Sequence, residues 1–261
     1  MPMVLGHEVV GYVVESDDPS LQAGQKVAIN PAASCGECKY CRSGEDNQCT
    51  GMRFFGSAMY YPHVDGGFSQ YKVVETRQCV PFEAGADEKV MVFAEPLAVC
   101  IHATHQAGEL QGKKVFISGV GPIGCLIAAA ARARGAAEVV CTDVSERSLA
   151  MAEAMGATTT IEAARGDFSH YLAEKGYFDV SFEASGHPSS LNRCLEVTRA
   201  KGTIVQVGMG GNIPEFPIMQ LISKEIVLTG SFRFTTEFAT AGEWLGKGVI
   251  DPRPLSSGEY D

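Results

Sequence analysis

Four cysteines carry the most specific chemistry in the chain. Cys35, Cys38, Cys41 and Cys49 stand in PAASCGECKYCRSGEDNQCT as C-x2-C-x2-C-x7-C, four thiols within fifteen residues. Four thiolates can close a tetrahedral shell around Zn²⁺ and leave no open position, so the zinc predicted here is structural. An iron–sulfur cluster also takes four thiolates, but the x3-C-P ending of the ferredoxin run is absent. Four unligated surface thiols would be open to oxidation. A second pattern, Gly119-Val120-Gly121-Pro122-Ile123-Gly124, fits G-x-G-x-x-G, and Asp143 lies 19 residues beyond its last glycine. In a glycine-rich chain that spacing is weak by itself. It gains force from an apolar run before it and a small-residue helix pattern after it.

The elements that would position these groups can be read in order. HEVVGYVVES, QKVAINPA and FSQYKVVE alternate apolar and polar residues as strands do, and turn residues separate them, so residues 1–95 read as a β-rich domain carrying the cysteine lobe at 35–49. From 96 to 235 the pattern changes to strand, glycine turn, helix, strand, helix. Counting VFISG first, TTTIE, DVSFEAS, GTIVQVG and EIVLTGSF join EVVCTD to make six strands of a doubly wound α/β fold with a parallel sheet. EFATAGEWLGKG reads as a helix leaving that sheet, and the last segment, 236–261, as the start of a return to the first domain. In such a fold the first glycine permits the tight turn, the second lets the backbone approach a pyrophosphate, and the third lets helix and strand pack closely. The helix opened by Pro122 and Ile123 turns its positive end to the phosphates. Asp143 would accept ribose hydroxyls and repel a 2′-phosphate, which favours NAD; Arg147 keeps NADP open.

Composition bounds the partners. The net charge is −10, with 45% hydrophobic and 20% charged residues, so a nucleic-acid backbone is not an expected partner. The longest apolar stretch, Val115–Ala131, is too short and too broken by glycine and proline to span a bilayer, so no membrane is expected either. No basic-then-apolar leader opens the chain, and the expected compartment is the cytoplasm. There, nine cysteines suit metal ligation and buried thiols; Cys79, Cys100, Cys125, Cys141 and Cys194 sit in apolar runs and read as inert.

Taken in order, GHEVVGYVVES, the four-cysteine lobe, DGGFSQYKVV, AEPLAVCIHA and GVGPIG resemble the zinc-containing medium-chain dehydrogenases, in particular their polyol branch, over essentially the whole chain. The resemblance implies a Rossmann sheet plus a GroES-like catalytic domain, NAD or NADP, a second, catalytic zinc in the cleft between domains, and a sugar-acid or polyol substrate. It maps the catalytic ligands onto His7, Glu8 and Glu95, the last expected in a loop before a helix. Without the resemblance, His7 would read as a satisfied strand histidine and Glu95 as a helix cap. It also places Arg233 beside the substrate, where a guanidinium fork suits hydroxyl and carboxylate oxygens. By analogy the protein is expected to be a homo-oligomer. One departure stands out: the family's first catalytic ligand, an upstream cysteine, and the hydroxyl that starts its proton relay have no counterpart here, and the chain is expected to be truncated at both ends. Two other readings stay open. One is a zinc- and dinucleotide-binding fragment without turnover; the other, a zinc ribbon for nucleic acid, is opposed by the charge.

Overall fold

A computed structural model describes residues 2–59, 61–211 and 216–259. The chain forms two compact units, residues 1–99 with 233–251 and residues 100–232 with 252–261.

In the first unit, β1 (Val9–Tyr12) pairs antiparallel with β2 (Lys26–Ile29), Val10 opposite Ala28. A two-residue strand β3 (Ala32–Ala33) leads into the cysteine lobe, which holds one short helix, α1 (Lys39–Arg42), and is closed by β4 (Arg53–Phe54) pairing back to β3. Then β5 (Cys79–Pro81) adds to the other edge of β2. Leu21, Val27, Ile29 and Phe55 bury a small core under this sheet.

FSQYKVVE is not a strand: residues 68–75 form no regular element, and the third strand of the sheet is β5. Alternation describes a face to bury, but a strand also needs a ladder partner and something to bury against. Phe68 and Tyr71 are largely exposed and Val73 is 98% exposed. Alternating residues that find neither make no strand.

After α2 (Glu88–Met91), the long helix α3 (Ala94–Gln106) carries the chain into the second unit. There β6 (Lys114–Ser118), α4 (Pro122–Ala133), β7 (Glu138–Asp143), α5 (Glu146–Ala154) and β8 (Thr159–Glu162) make one half of the sheet. The other half is α6 (Ser169–Leu172), β9 (Phe178–Glu183), α7 (Pro188–Val197), β10 (Thr198–Gln206), α8 (Ile218–Lys224) and β11 (Val227–Gly230). The six strands lie in the order β11-β10-β9-β6-β7-β8, all parallel, so the expected doubly wound sheet is present. Strands covered on both faces must be apolar throughout, which is why VFIS and EVVC show no alternation. Phe116, Val140, Phe178, Leu195 and Ile204 form their core. Ala128, Ala130 and Ala131 of α4 are completely buried, so that helix packs close to the sheet. Finally α9 (Glu237–Gly246) belongs to the first unit and buries Phe238, Ala241 and Leu245.

Candidate active site

The cysteine lobe buries few apolar side chains of its own, and what gathers at its centre is sulfur. The Sγ atoms of Cys38 and Cys41 are 3.5 Å apart, those of Cys35 and Cys49 3.4 Å, and those of Cys35 and Cys41 4.0 Å. Ligands about 2.3 Å from a tetrahedral zinc stand about 3.8 Å from one another, so this donor set fits a closed four-thiolate site. The Cys35 backbone N–H donates to the Cys49 Sγ at 3.3 Å, the kind of bond that stabilises a thiolate. Backbone donors, those of Cys41 and Thr50 first, hold the Cys38 thiol down to about 6, while burial pushes Cys41 up to about 12; a bound cation favours the thiolate at all four. Cys49 packs against Met52 and Phe54, so the metal lobe is continuous with an apolar wall.

Phe54 links that lobe to a second cluster. The His7 ring meets Phe54 edge-on at 5.6 Å, and the Arg233 guanidinium lies 4.2 Å over its face. His7 and Glu8 sit in extended chain just ahead of β1, held by backbone bonds from a glycine turn: Gly66 N–H donates to Val4 O, Gly67 N–H to Gly6 O and Phe68 N–H to Leu5 O. DGGF thus serves to clamp residues 4–6. Glu95 lies in the first turn of α3 rather than in a loop before it. Pro96 does not interrupt a helix there, because first-turn N–H groups need no helical partner, and the Leu97 N–H already bonds Phe93 O.

One ligand atom each from His7, Glu8 and Glu95 lie within 4.8 Å of one another. Glu95 is only 6% exposed. Burial and the neighbouring Glu8 carboxylate raise its pKa to about 8, against the pull of Arg233. Burial raises Glu8 as well, offset by His7. Two crowded carboxyls and an imidazole, one carboxyl costly to ionise where it lies, suit a divalent cation with open positions, as catalytic zinc requires. Arg233 adopts a left-handed backbone, φ 57°, in the stretch between β11 and α9. Its Nη2 approaches the Met59 sulfur at 3.6 Å.

The residues expected to bind a dinucleotide come together in the second unit. Gly119 and Gly124 each answer a close approach: at Gly119, φ 89°, a Cβ would stand 2.6 Å from the Ser185 side chain, and at Gly124 it would strike the Gly119 carbonyl. Gly121 caps α4, with Pro122 and Ile123 opening it. Asp143 ends β7; its Oδ2 accepts from the Val120 N–H at 2.8 Å and its Oδ1 from the Ser145 N–H at 2.9 Å. A carboxylate has about four lone-pair sites, so capacity remains for ribose hydroxyls. Arg147 is exposed in the first turn of α5. Cys100, Cys125, Cys141 and Cys194 are fully buried and Cys79 partly so; burial pushes the Cys125 thiol up to about 12.

Sequence reasoning missed Phe54, whose only signal was an aromatic residue just past the last cysteine.

Comparison with known proteins places the chain in a family. Residues 1–84 match the alcohol dehydrogenase GroES-like domain, and residues 122–247 the zinc-binding dehydrogenase family. The chain is 68% identical over 259 residues to the L-idonate 5-dehydrogenase (NAD(P)(+)) of Escherichia coli K12, covering 99% of this chain and 76% of that protein. A probable D-xylulose reductase A from Arthroderma otae is 35% identical over 97% of this chain and 73% of its own length. The crystal structure of the Escherichia coli L-idonate 5-dehydrogenase superposes with a TM-score of 0.95, over 97% of this chain and 73% of that one. A Sinorhizobium meliloti zinc-binding dehydrogenase bound to NADP gives a TM-score of 0.89 at 30% identity, over 96% of this chain and 74% of that one.

Proposed function

This chain belongs to the zinc-binding medium-chain dehydrogenases, and from that premise we propose that it oxidises the carbon-5 hydroxyl of L-idonate to the ketone of 5-keto-D-gluconate, reversibly, with NAD or NADP. The observation that carries the substrate is the 68% identity to an L-idonate 5-dehydrogenase across 99% of the chain.

His7, Glu8 and Glu95 hold the catalytic zinc in this reading, and Cys35, Cys38, Cys41 and Cys49 hold the structural one. Bound zinc supplies a Lewis acid at the substrate oxygen, and bound NAD(P) the hydride acceptor. The protein's own contribution is position and field. Glu95, buried and charged beside the metal, orients one donor rigidly. Phe54 backs both His7 and Arg233. Arg233 presents its fork to a substrate hydroxyl or carboxylate oxygen. Gly119, Gly121, Pro122, Ile123 and Gly124 receive the pyrophosphate, and Asp143 the adenosine ribose, with Arg147 close enough in sequence to accommodate a 2′-phosphate.

A polyol substrate is the second reading, supported by 33–35% identity to D-xylulose reductases and a sorbitol dehydrogenase. A cytoplasmic setting suits a four-thiolate site, which needs reduced cysteines. No helix among the described residues is long and apolar enough to cross a membrane. Self-assembly of identical subunits is part of the proposal, since Val227 and Leu228 are exposed on the edge strand β11; a monomer in sedimentation would remove it.

The test is formation of reduced cofactor from L-idonate, sorbitol and xylitol with NAD and with NADP. Faster turnover of L-idonate supports the reading. Preference for sorbitol or xylitol replaces the substrate and keeps the chemistry. NADH binding without turnover of any of them leaves a binding module and defeats the enzyme reading.

A further inference from the structure

Glu183 is the last residue of β9 and is completely buried. It stands in register with Ser118 of β6 on one side and Gln206 of β10 on the other. Among the described residues, the hydrogen-bond partners of its carboxylate are all donors. Oε1 accepts from the Ser185 N–H at 2.9 Å, the Ser185 hydroxyl at 2.5 Å and the Gly186 N–H at 3.1 Å. Oε2 accepts from the same Gly186 N–H at 3.0 Å and from the Gln206 amide at 2.5 Å. Such a ring of donors uses the side chain as an acceptor at both oxygens. The Gln206 amide nitrogen turns to this carboxylate and to the Gly208 carbonyl, and its own oxygen is left buried without a partner among the described residues.

The loops gathered here are not incidental ones. The chain builds β6, β7 and β8 to one side and β9, β10 and β11 to the other, so strand order reverses between β6 and β9. In an open parallel sheet the crevice for a dinucleotide lies there, beyond the carboxyl ends of the strands. Gly119, on the β6 side, packs against Ser185 on the β9 side. Gly186 lies backbone to backbone against Gly208 and Gly210, which follow β10. The Gly208 N–H and the Val207 N–H both donate to the Glu183 carbonyl. One residue therefore ties the turns after β9 and β10 together at the wall of the crevice opposite Asp143.

We infer that Glu183 is a positioning residue for the nicotinamide half of the dinucleotide, an inference that rests on NAD(P) being the bound cofactor. Asp143 and the helix α4 hold the adenosine end on the β7 side. The remainder must cross the reversal point and lie along the Ser185–Gly186 and Gly208–Gly210 turns. The carboxylate holds the first turn directly and the second through the Gln206 amide, which also donates to the Gly208 carbonyl. Glutamine at 183 has the same outline, but half of its head group donates, and it would face donors from Ser185, Gly186 and Gln206.

The experiment measures binding of NADH and of AMP to the wild-type, Glu183→Gln and Ser185→Ala full-length proteins by calorimetry. AMP reports the adenosine end alone. Glu183→Gln is expected to weaken NADH about tenfold and leave AMP within about twofold. Ser185→Ala keeps the carboxylate and removes one donor; it is expected to weaken NADH about threefold with AMP unchanged, and it decides the matter if Glu183→Gln does not fold. Equal weakening of NADH and AMP would show a general fold defect and overturn the inference, as would unchanged NADH binding in the variants. Wild-type protein that binds neither ligand overturns the dinucleotide reading itself, an outcome distinct from both.

Discussion

Replacing Glu95 by glutamine should stabilise the protein when its catalytic metal is absent and destabilise it when the metal is present. The carboxyl is 6% exposed, and its pKa climbs from near 4.5 to about 8, chiefly through burial and then through Glu8, with Arg233 recovering part of the cost. The sign follows from proton counting. Between pH 4.5 and 8 the folded, metal-free protein holds a proton at Glu95 that the unfolded chain has released, so stability falls as pH rises through that window and levels off above it. Each pH unit is worth about 1.4 kcal/mol, so the loss accumulated by pH 7 is about 3 kcal/mol. Glutamine carries no such term. With the metal at His7, Glu8 and Glu95 removed by a mild chelator and the four-cysteine zinc retained, Glu95→Gln should melt about 6 °C above wild type at pH 7 and close to it at pH 4.5. Adding zinc should reverse the order, because the carboxylate then has its counter-charge and the amide is the poorer ligand. A metal-free variant that melts at or below wild type at pH 7, or wild-type stability that is flat from pH 4.5 to 8, would refute the placement of an uncompensated carboxyl at this site.

Two further outcomes follow from the other sites. Cys49→Ser should release the structural zinc, lowering zinc from two to one per chain by elemental analysis, with a fall in melting temperature; retention of both metals would show that three thiolates suffice. Asp143→Ala should narrow the preference for NAD over NADP about tenfold in kcat/KM, because the repulsion of a 2′-phosphate is gone, and should also raise KM for NAD, because Val120 loses its acceptor; an unchanged cofactor ratio would place discrimination elsewhere.

The parts of the molecule legible in the sequence were those written in local periodicity and spacing. The central parallel strands were legible because a strand covered on both faces is largely apolar, as VFIS and EVVC are, and the rest followed from their alternation with helical segments. The thiols of the lobe could be assembled from spacing alone, since one short loop carries them all. FSQYKVVE misled because alternation specifies which side chains could be buried and says nothing of whether a partner strand is there. His7, Glu8, Glu95 and Arg233 were reachable only through family likeness: they are separated by up to 226 positions, and no local pattern relates them. Glu183 was passed over for the opposite reason. A single acid ending an apolar strand looks like the strand's boundary, and its purpose is visible only once the turns after β9 and β10 fold over it.

In the proposed reading the two metal sites divide the work by donor chemistry, and Phe54 lies between their residues. Four thiolates saturate a zinc and leave nothing to react, so that site can only replace a hydrophobic core the lobe is too small to build. An imidazole and two carboxylates leave positions open and keep a charge balance a substrate oxygen can enter. Phe54 packs on Cys49 and Met52 with one part of its surface and carries His7 and Arg233 on its ring. Order imposed at the closed site would thereby reach the proposed ligand His7 and the proposed substrate-binding Arg233. Metal loss at the cysteine lobe should therefore cost catalysis as well as stability, through the wall that the two sites share.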